Sequence, residues 1–352
     1  MKIKSEQAAC LLSLFVILLL GSTCHHPDPA RGPCGEIDRN DIAAIVACVQ
    51  SAPKEDILAT PEVKDYLSKH KVYISLTTSP KRITKILPVL QTLDLELVTN
   101  VLLVLPLRFS RDNSNYVIPR EIETFHKLKV LKIETDLGPI TKLLPAVVYV
   151  NNTPENQKAN IKFVDTVPNP DPSDPKAIVI TIDDDAAYYY GSISQLIKYA
   201  ILKDAVVGGR GRGLYIFNLD RANWPERTEP QPKCITRDVS GCDILEGVGS
   251  VAYPARYVDV ASMAEFSKHH KPCRSADDLV INFVLANHKP HPVPKFMISN
   301  SYIYAPVPLA FGFESDALHL GAGGGSQTNY AHTQNYPNCL REINKEIKDG
   351  SI

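Results

Sequence analysis

The chain has 352 residues, 44% hydrophobic and 22% charged, which suits one large globular domain, alone or with extensions. Its 38 basic and 39 acidic side chains leave a formal net charge of −1. That balance gives no sign of a polyelectrolyte partner, so no nucleic-acid partner is expected.

At the N-terminus, Lys2 and Lys4 precede an apolar run from Ala8 to Leu20, followed by Gly21, Ser22 and Thr23. This pattern predicts a signal peptide over residues 1–24, with a signal-anchor as the alternative. The run is short for a membrane span, which takes roughly 20 apolar residues. A lipoprotein site at Cys24 is disfavoured, because Gly21 stands where an aliphatic residue belongs. The body is therefore expected to leave the cytosol, either secreted or held by a single-pass anchor. Of the eight cysteines, Cys10 and Cys24 lie in or beside the leader. The others fit an oxidising compartment. Local pairing favours Cys34–Cys48 and Cys234–Cys242, which leaves Cys273–Cys339. No Cys-x-x-Cys occurs, which argues against zinc or thioredoxin-like chemistry. Asn151-Asn152-Thr153 is either a glycosylation sequon or a polar loop.

Residues 25–70 read as a stem with two short helices, Arg39–Ser51 and Pro61–His70. Asp41 or Asn40 could cap the first, and Thr60-Pro61 has the form of an N-cap followed by the first helical residue. From residue 71 strands and helices alternate. Strands are expected at 72–78, 101–107, 128–134, 177–182, 213–218 and 248–254. Helices are expected at 81–93 (with a proline interruption), 140–150, 192–202 and 275–288. A proline-rich loop, "VPNPDPSDP", precedes the strand at 177, and "GAGGGS" (321–326) reads as a flexible loop. Short β-branched strands separated by helices predict an α/β domain with a mostly parallel central sheet and helices on both faces. The near-continuous apolar runs at 101–105 and 177–182 fit central strands.

The strand "AIVITI" runs straight into Asp183, Asp184 and Asp185. In open α/β sheets, ligands sit at the carboxyl ends of the strands. Strand alternation would send Asp183 and Asp185 to one side and Asp184 to the other. Two carboxylates on rigid backbone begin a hard-cation site for Mn²⁺ or Mg²⁺ that leaves open positions for phosphate oxygens. The alternative is a solvated acidic turn.

Five stretches then come in order: "ISLTTSPKRI" (74–83), "LGPITKLLPAV" (137–147), "VITIDDDAAYY" (179–189), "EGVGSVAYP" (246–254) and "SADDLVINFVLA" (275–286). Together they resemble the GT-A-fold, Asp-x-Asp-containing nucleotide-diphospho-sugar glycosyltransferases, over roughly residues 72–340. The resemblance implies a GT-A (Rossmann-like) domain over 71–340 with a short tail, 341–352. It also implies metal-dependent transfer of a hexosyl or related group from a nucleotide-sugar to a hydroxyl of a glycan, glycoprotein or glycolipid. It assigns Thr77, Thr78, Pro80 and Arg82 to the base and ribose, and Lys142 to the nucleotide or sugar. Asp183 would bond the ribose or sugar and share the metal, Asp184 would lie with the nucleotide contacts, and Asp185 would be the more direct metal ligand. Asp278, or else Asp277, would deprotonate the acceptor in an inverting enzyme. His319 or His332 would complete the metal shell. The leader then implies the lumen of the secretory pathway.

Each of these residues also has a plainer reading: a capped helix start at 77–82, an exposed helical lysine at 142, and carboxylates favoured by a helix dipole at 277–278. His288 and His291, among prolines, read as surface residues. Arg210 and Arg212 in "GGRGRG" could meet phosphate, or could belong to a mobile turn. Two other functions compete: a non-catalytic carbohydrate-binding or scaffold protein on a degenerate transferase fold, and a metal-dependent phosphohydrolase.

Overall fold

The computed structural model describes residues 32–164, 173–212, 239–298, 303, 306–313 and 336–348. In chain order the main elements are α1 (Ile42–Gln50), α2 (Pro61–Lys69), β1 (Val72–Leu76), α3 (Leu87–Gln91), β2 (Asn100–Pro106) and β3 (Leu128–Ile133). Then come α4 (Leu144–Val150), β4 (Ile178–Thr181), α5 (Ser192–Lys203), β5 (Val206–Gly208), β6 (Ser240–Gly241) and β7 (Val251–Pro254). The last are α6 (Val260–His269), α7 (Asp277–Ala286), β8 (Lys295–Met297) and α8 (Tyr336–Lys348). Among the described residues, no helix is long and apolar enough to cross a membrane.

Eight strands form one mixed sheet in the order β3-β2-β1-β4-β7-β5-β8-β6. The β3-β2-β1-β4 half is parallel throughout. β7 is antiparallel to both of its neighbours, β8 is parallel to β5, and β6 is antiparallel to β8. Alternation along each strand divides the apolar side chains between two cores. Tyr73, Leu102, Val104 and Val179 join the core under α4, α6, α7 and α8. Val72, Ile74, Leu103, Ile178 and Ile180 join the core under α1, α2, α3 and α5. This is the α/β architecture with helices on both faces that the sequence predicts.

The expected stem behaves differently. From residue 32 it lies against one face of the sheet, with Cys34, Ile45, Val49 and Val63 fully buried in that core. Asp41 is the residue that caps α1, accepting the Ala44 N–H at 3.0 Å. Cys34 is disulfide-bonded to Cys48, and its N–H donates to the Tyr189 hydroxyl at 3.0 Å. Lys54 pairs with Asp94 and Glu96. Gly191, at φ +86°, opens α5 where a Cβ would come within 3.2 Å of the Lys54 backbone. A glycine meets both demands there.

Element ends also shift. The helix expected at 81–93 is a 3₁₀ turn, Ile83–Lys85, followed by the short α3, because Pro88 cannot continue an N–H ladder. β4 stops at Thr181, two residues before the aspartates. Cys273–Cys339 is the second described disulfide and ties α8 to the segment before α7. The helix continues past residue 340, and Ile343 is fully buried. Asn151 is 5% exposed, and its Oδ1 accepts from Ser173 at 3.0 Å, so the sequon asparagine is built into a turn. The leader, the strand expected at 213–218, the glycine-rich segment, most of the proline-rich loop, Cys234, His319 and His332 lie outside the described residues.

Candidate functional site

From β1 the chain moves outward to β2 and β3, then returns to lay β4 on the other side of β1. The order reverses between β1 and β4, and a crevice outside the carboxyl ends of the strands at such a point is where open α/β sheets bind ligands. Thr77 and Thr78 follow β1 there, and Asp183–Asp185 follow β4. β7 runs the opposite way, with Val251 beside Thr181. Its preceding loop, Glu246–Ser250, therefore reaches the same edge.

The three aspartates do not alternate as strand residues would. The chain has left β4, Asp184 and Asp185 form a turn, and the three carboxylates divide between two cations. Asp184 is buried, accepting from the Thr78 hydroxyl and from Arg82 Nη1 at 3.0 Å. Arg82 Nη1 also reaches Asp185 Oδ2 at 3.1 Å. Asp183 turns towards Lys142, whose Nζ lies 2.7 Å from its Oδ1. The side chains of Asp183 and Asp185 remain 25% and 26% exposed. The Asp183 N–H donates to the Tyr188 hydroxyl at 2.8 Å, which pins the turn from below.

Lys142 joins this group to α7. It is 8% exposed, and a Cβ on Gly247 would stand 2.8 Å from its Nζ and 3.2 Å from Asp278 Oδ1. A larger residue at 247 would push the lysine tip aside. The Gly247 N–H donates to Asp278 Oδ1 at 2.9 Å. Asp277 and Asp278 both lie in the first turn of α7, where the helix dipole favours negative charge. Asp277 is buried and Asp278 is half-buried.

The electrostatics follow from burying five carboxylates (Asp183, Asp184, Asp185, Asp277 and Asp278) around two cations, Arg82 and Lys142. Burial opposes the charge of Lys142, but Asp183, Asp277 and Asp278 outweigh it and hold its pKa well above the ordinary lysine value. Burial pushes Asp185 up to about 7, helped by Asp184 and Asp183 and opposed by Arg82. Burial and the neighbouring Asp277 push Asp278 up to about 8 against the pull of Lys142. Asp184 and Asp277 are raised by burial too, with Arg82 and Lys142 respectively as the main restraints. Fully ionised, the cluster would carry more negative charge than its two cations balance; the raised carboxyls answer that by holding protons, and a bound cation would answer it in their place.

The donor set fits a hard divalent cation in part. Among the described residues no three His, Cys, Asp or Glu side chains are grouped to hold a metal ion. Asp183 and Asp185 offer two oxygen donors, which leaves positions for water and phosphate, the usual arrangement for Mg²⁺.

All five resembling stretches thus contribute to one edge of the sheet. Thr77 and Pro80 are half-buried beside Thr78, whereas Thr78 and Arg82 turn their polar atoms towards the aspartates. His291 is exposed, and His288 lies edge-on to Tyr257 at 6.1 Å. Two supporting residues escape sequence reasoning. Asn282 is 1% exposed; its Oδ1 accepts the Leu245 N–H at 3.1 Å, and its Nδ2 donates to the carbonyls of Leu245 at 2.9 Å and Asp278 at 2.7 Å. It holds the strand leading to Gly247 against α7, and its one signal was a lone amide in the apolar run "LVINFVLA". Tyr116 donates from its hydroxyl to the Thr78 carbonyl at 2.9 Å, from a loop with no readable pattern. No protein-family model matches the chain, and no curated protein matches it.

Proposed function

We propose that this protein is a metal-dependent glycosyltransferase of GT-A type, moving a sugar from a nucleotide-diphosphate donor to an acceptor hydroxyl. The observation that carries this reading is Lys142. It links Asp183, after β4, to Gly247 and Asp278 across the crevice at the switch point. On this reading the residues that would hold the metal and leaving group and those that would supply the base sit on either side of one lysine, and transfer needs both.

Asp183 and Asp185 would hold Mn²⁺ or Mg²⁺, with His319 as a further ligand proposed from sequence. The bound cation supplies Lewis-acid stabilisation of charge on the departing nucleoside diphosphate. Thr77 and Pro80 border the space for the nucleoside. Thr78 and Arg82 act one step back, fixing Asp184 and Asp185. Lys142 orients Asp183 and adds positive charge where phosphate would bind. Asp278, oriented by the Gly247 N–H, takes the proton of the acceptor hydroxyl as the new glycosidic bond forms. The disulfides Cys34–Cys48 and Cys273–Cys339 are compatible with a secretory-pathway lumen, where nucleotide-sugars and glycan, glycoprotein or glycolipid acceptors meet.

A screen of UDP- and GDP-sugars against sugar acceptors, with and without a chelator, tests the reading. Transfer or slow donor hydrolysis that stops on chelation is expected. Binding without turnover across the panel would favour a non-catalytic carbohydrate-binding protein. Release of phosphate from nucleotides lacking a sugar would favour a phosphohydrolase.

A further inference from the structure

Arg210 stands at the rim of this crevice with a geometry that the transfer chemistry described above does not use. It follows β5, and its loop is closed against Glu246–Ser250: the Gly209 N–H donates to the Ser250 carbonyl, and the Glu246 N–H donates to the Arg210 carbonyl, both at 3.0 Å. A Cβ on Gly249 would fall 2.6 Å from the Arg210 backbone nitrogen, so the two loops meet more closely than any side chain there would allow. The guanidinium is fixed as well. Its Nε donates to Glu246 Oε2 at 2.8 Å, and that glutamate side chain is 2% exposed while the arginine remains 46% exposed. A bond through Nε leaves the terminal amino groups outside it, and those groups form the fork that binds planar oxyanions. Glu246 immediately precedes Gly247, which bonds Asp278, and Glu246 is close enough to raise the Asp278 pKa.

We propose that Arg210 is a specificity-determining residue that reads an oxyanion (a carboxylate, sulfate or phosphate) on the acceptor. The inference rests on the transferase reading, because the acceptor is the substrate that approaches Asp278. Arg82 and Lys142 are committed to Asp184, Asp185 and Asp183, on the donor side. Arg210 is held instead by Glu246, the residue before Gly247. An anionic acceptor nearing this acid-rich rim meets repulsion from Asp277 and Asp278, and a preset guanidinium is what offsets it. An acceptor without charge would gain little from an arginine held this way.

The test uses the full chain saturated with Mn²⁺ and whichever of UDP or GDP it binds. Glucuronate, glucose 6-sulfate, glucose 6-phosphate and glucose are titrated calorimetrically. At least one charged probe is expected to bind about 10-fold more tightly than glucose, the scale of one charge-assisted contact. Arg210→Gln, which can still donate to Glu246, should remove the preference, and Arg210→Lys should retain part of it. Nucleotide affinity should stay unchanged in both variants. A preference that survives in Arg210→Gln, or equal binding of all four probes, overturns the proposal. Loss of nucleotide affinity in Arg210→Gln would assign the arginine to the donor diphosphate and overturn the acceptor role. If neither nucleotide binds, it is the transferase reading that fails. An Arg210-dependent preference in the nucleotide-free chain would then still support an oxyanion site, and its absence would overturn that too.

Discussion

Asp278→Asn is expected to lower sugar transfer by about 10²- to 10⁴-fold, the usual contribution of a positioned general base. The substitution is conservative in geometry, because the asparagine Oδ1 can still accept the Gly247 N–H that holds Asp278 now. Nucleoside diphosphate binding should therefore persist, which separates loss of a base from loss of the site. Transfer by the parent protein should also fall as the pH drops below about 8, where burial and Asp277 have pushed Asp278. The residual rate of the variant should lose that limb. Steady-state rates across pH, with nucleotide affinity measured alongside, check both points. Full activity in the variant would mean that Asp278 is structural, and Asp277→Asn would be the next base to test.

Lys142→Met should cost about 3–5 kcal/mol of stability, the range for removing one partner of a buried ion pair. Methionine fills most of the aliphatic stem but leaves Asp183, Asp277 and Asp278 without their shared cation. Those acids can respond only by taking up protons. A carboxyl whose folded pKa stands above its unfolded value favours the fold most below the unfolded value and loses that contribution progressively as pH rises to the folded one. Asp277 and Asp278 are both raised in the parent protein, and removing the lysine raises them further. The deficit should therefore be larger near about pH 8 than near about pH 5.5. Urea unfolding at the two pH values reads the difference, and an equal deficit at both would contradict the charge-compensation role.

β1 to β4 and β7 were legible, the clearest of them because runs such as "VLLVL" and "AIVITI" are apolar on both faces, as central strands require, whereas β5, β6 and β8, only two or three residues long, carried no such run. The crevice was legible for the same reason, since an acidic run after such a strand has few places to be. The sharing of partners was not. Lys142 and Asp183 are 41 residues apart, and Arg82 and Asp185 are 103 apart, so nothing local announces either pair. Alternation failed for the aspartates because β4 ends at Thr181 and the chain turns before reaching them. The segment before residue 70 read as a stem because its short amphipathic helices carry no mark of what they cover. Ile45 and Val49 would look the same facing a membrane-proximal stalk or this sheet. Arg210 was visible as a residue but not as a fixed one, because the buried glutamate that orients it lies 36 positions away.

The most direct test of the site is thermal unfolding of the full chain with UDP or GDP, in Mn²⁺ or in chelator. A nucleotide present at about 100 times its Kd should add roughly 2.7 kcal/mol of stability, and only when the cation is present. Asp185→Ala should abolish that shift while leaving the nucleotide-free protein folded. A shift that persists in chelator, or that Asp185→Ala leaves undiminished, would contradict a nucleotide diphosphate held through a metal at Asp183–Asp185.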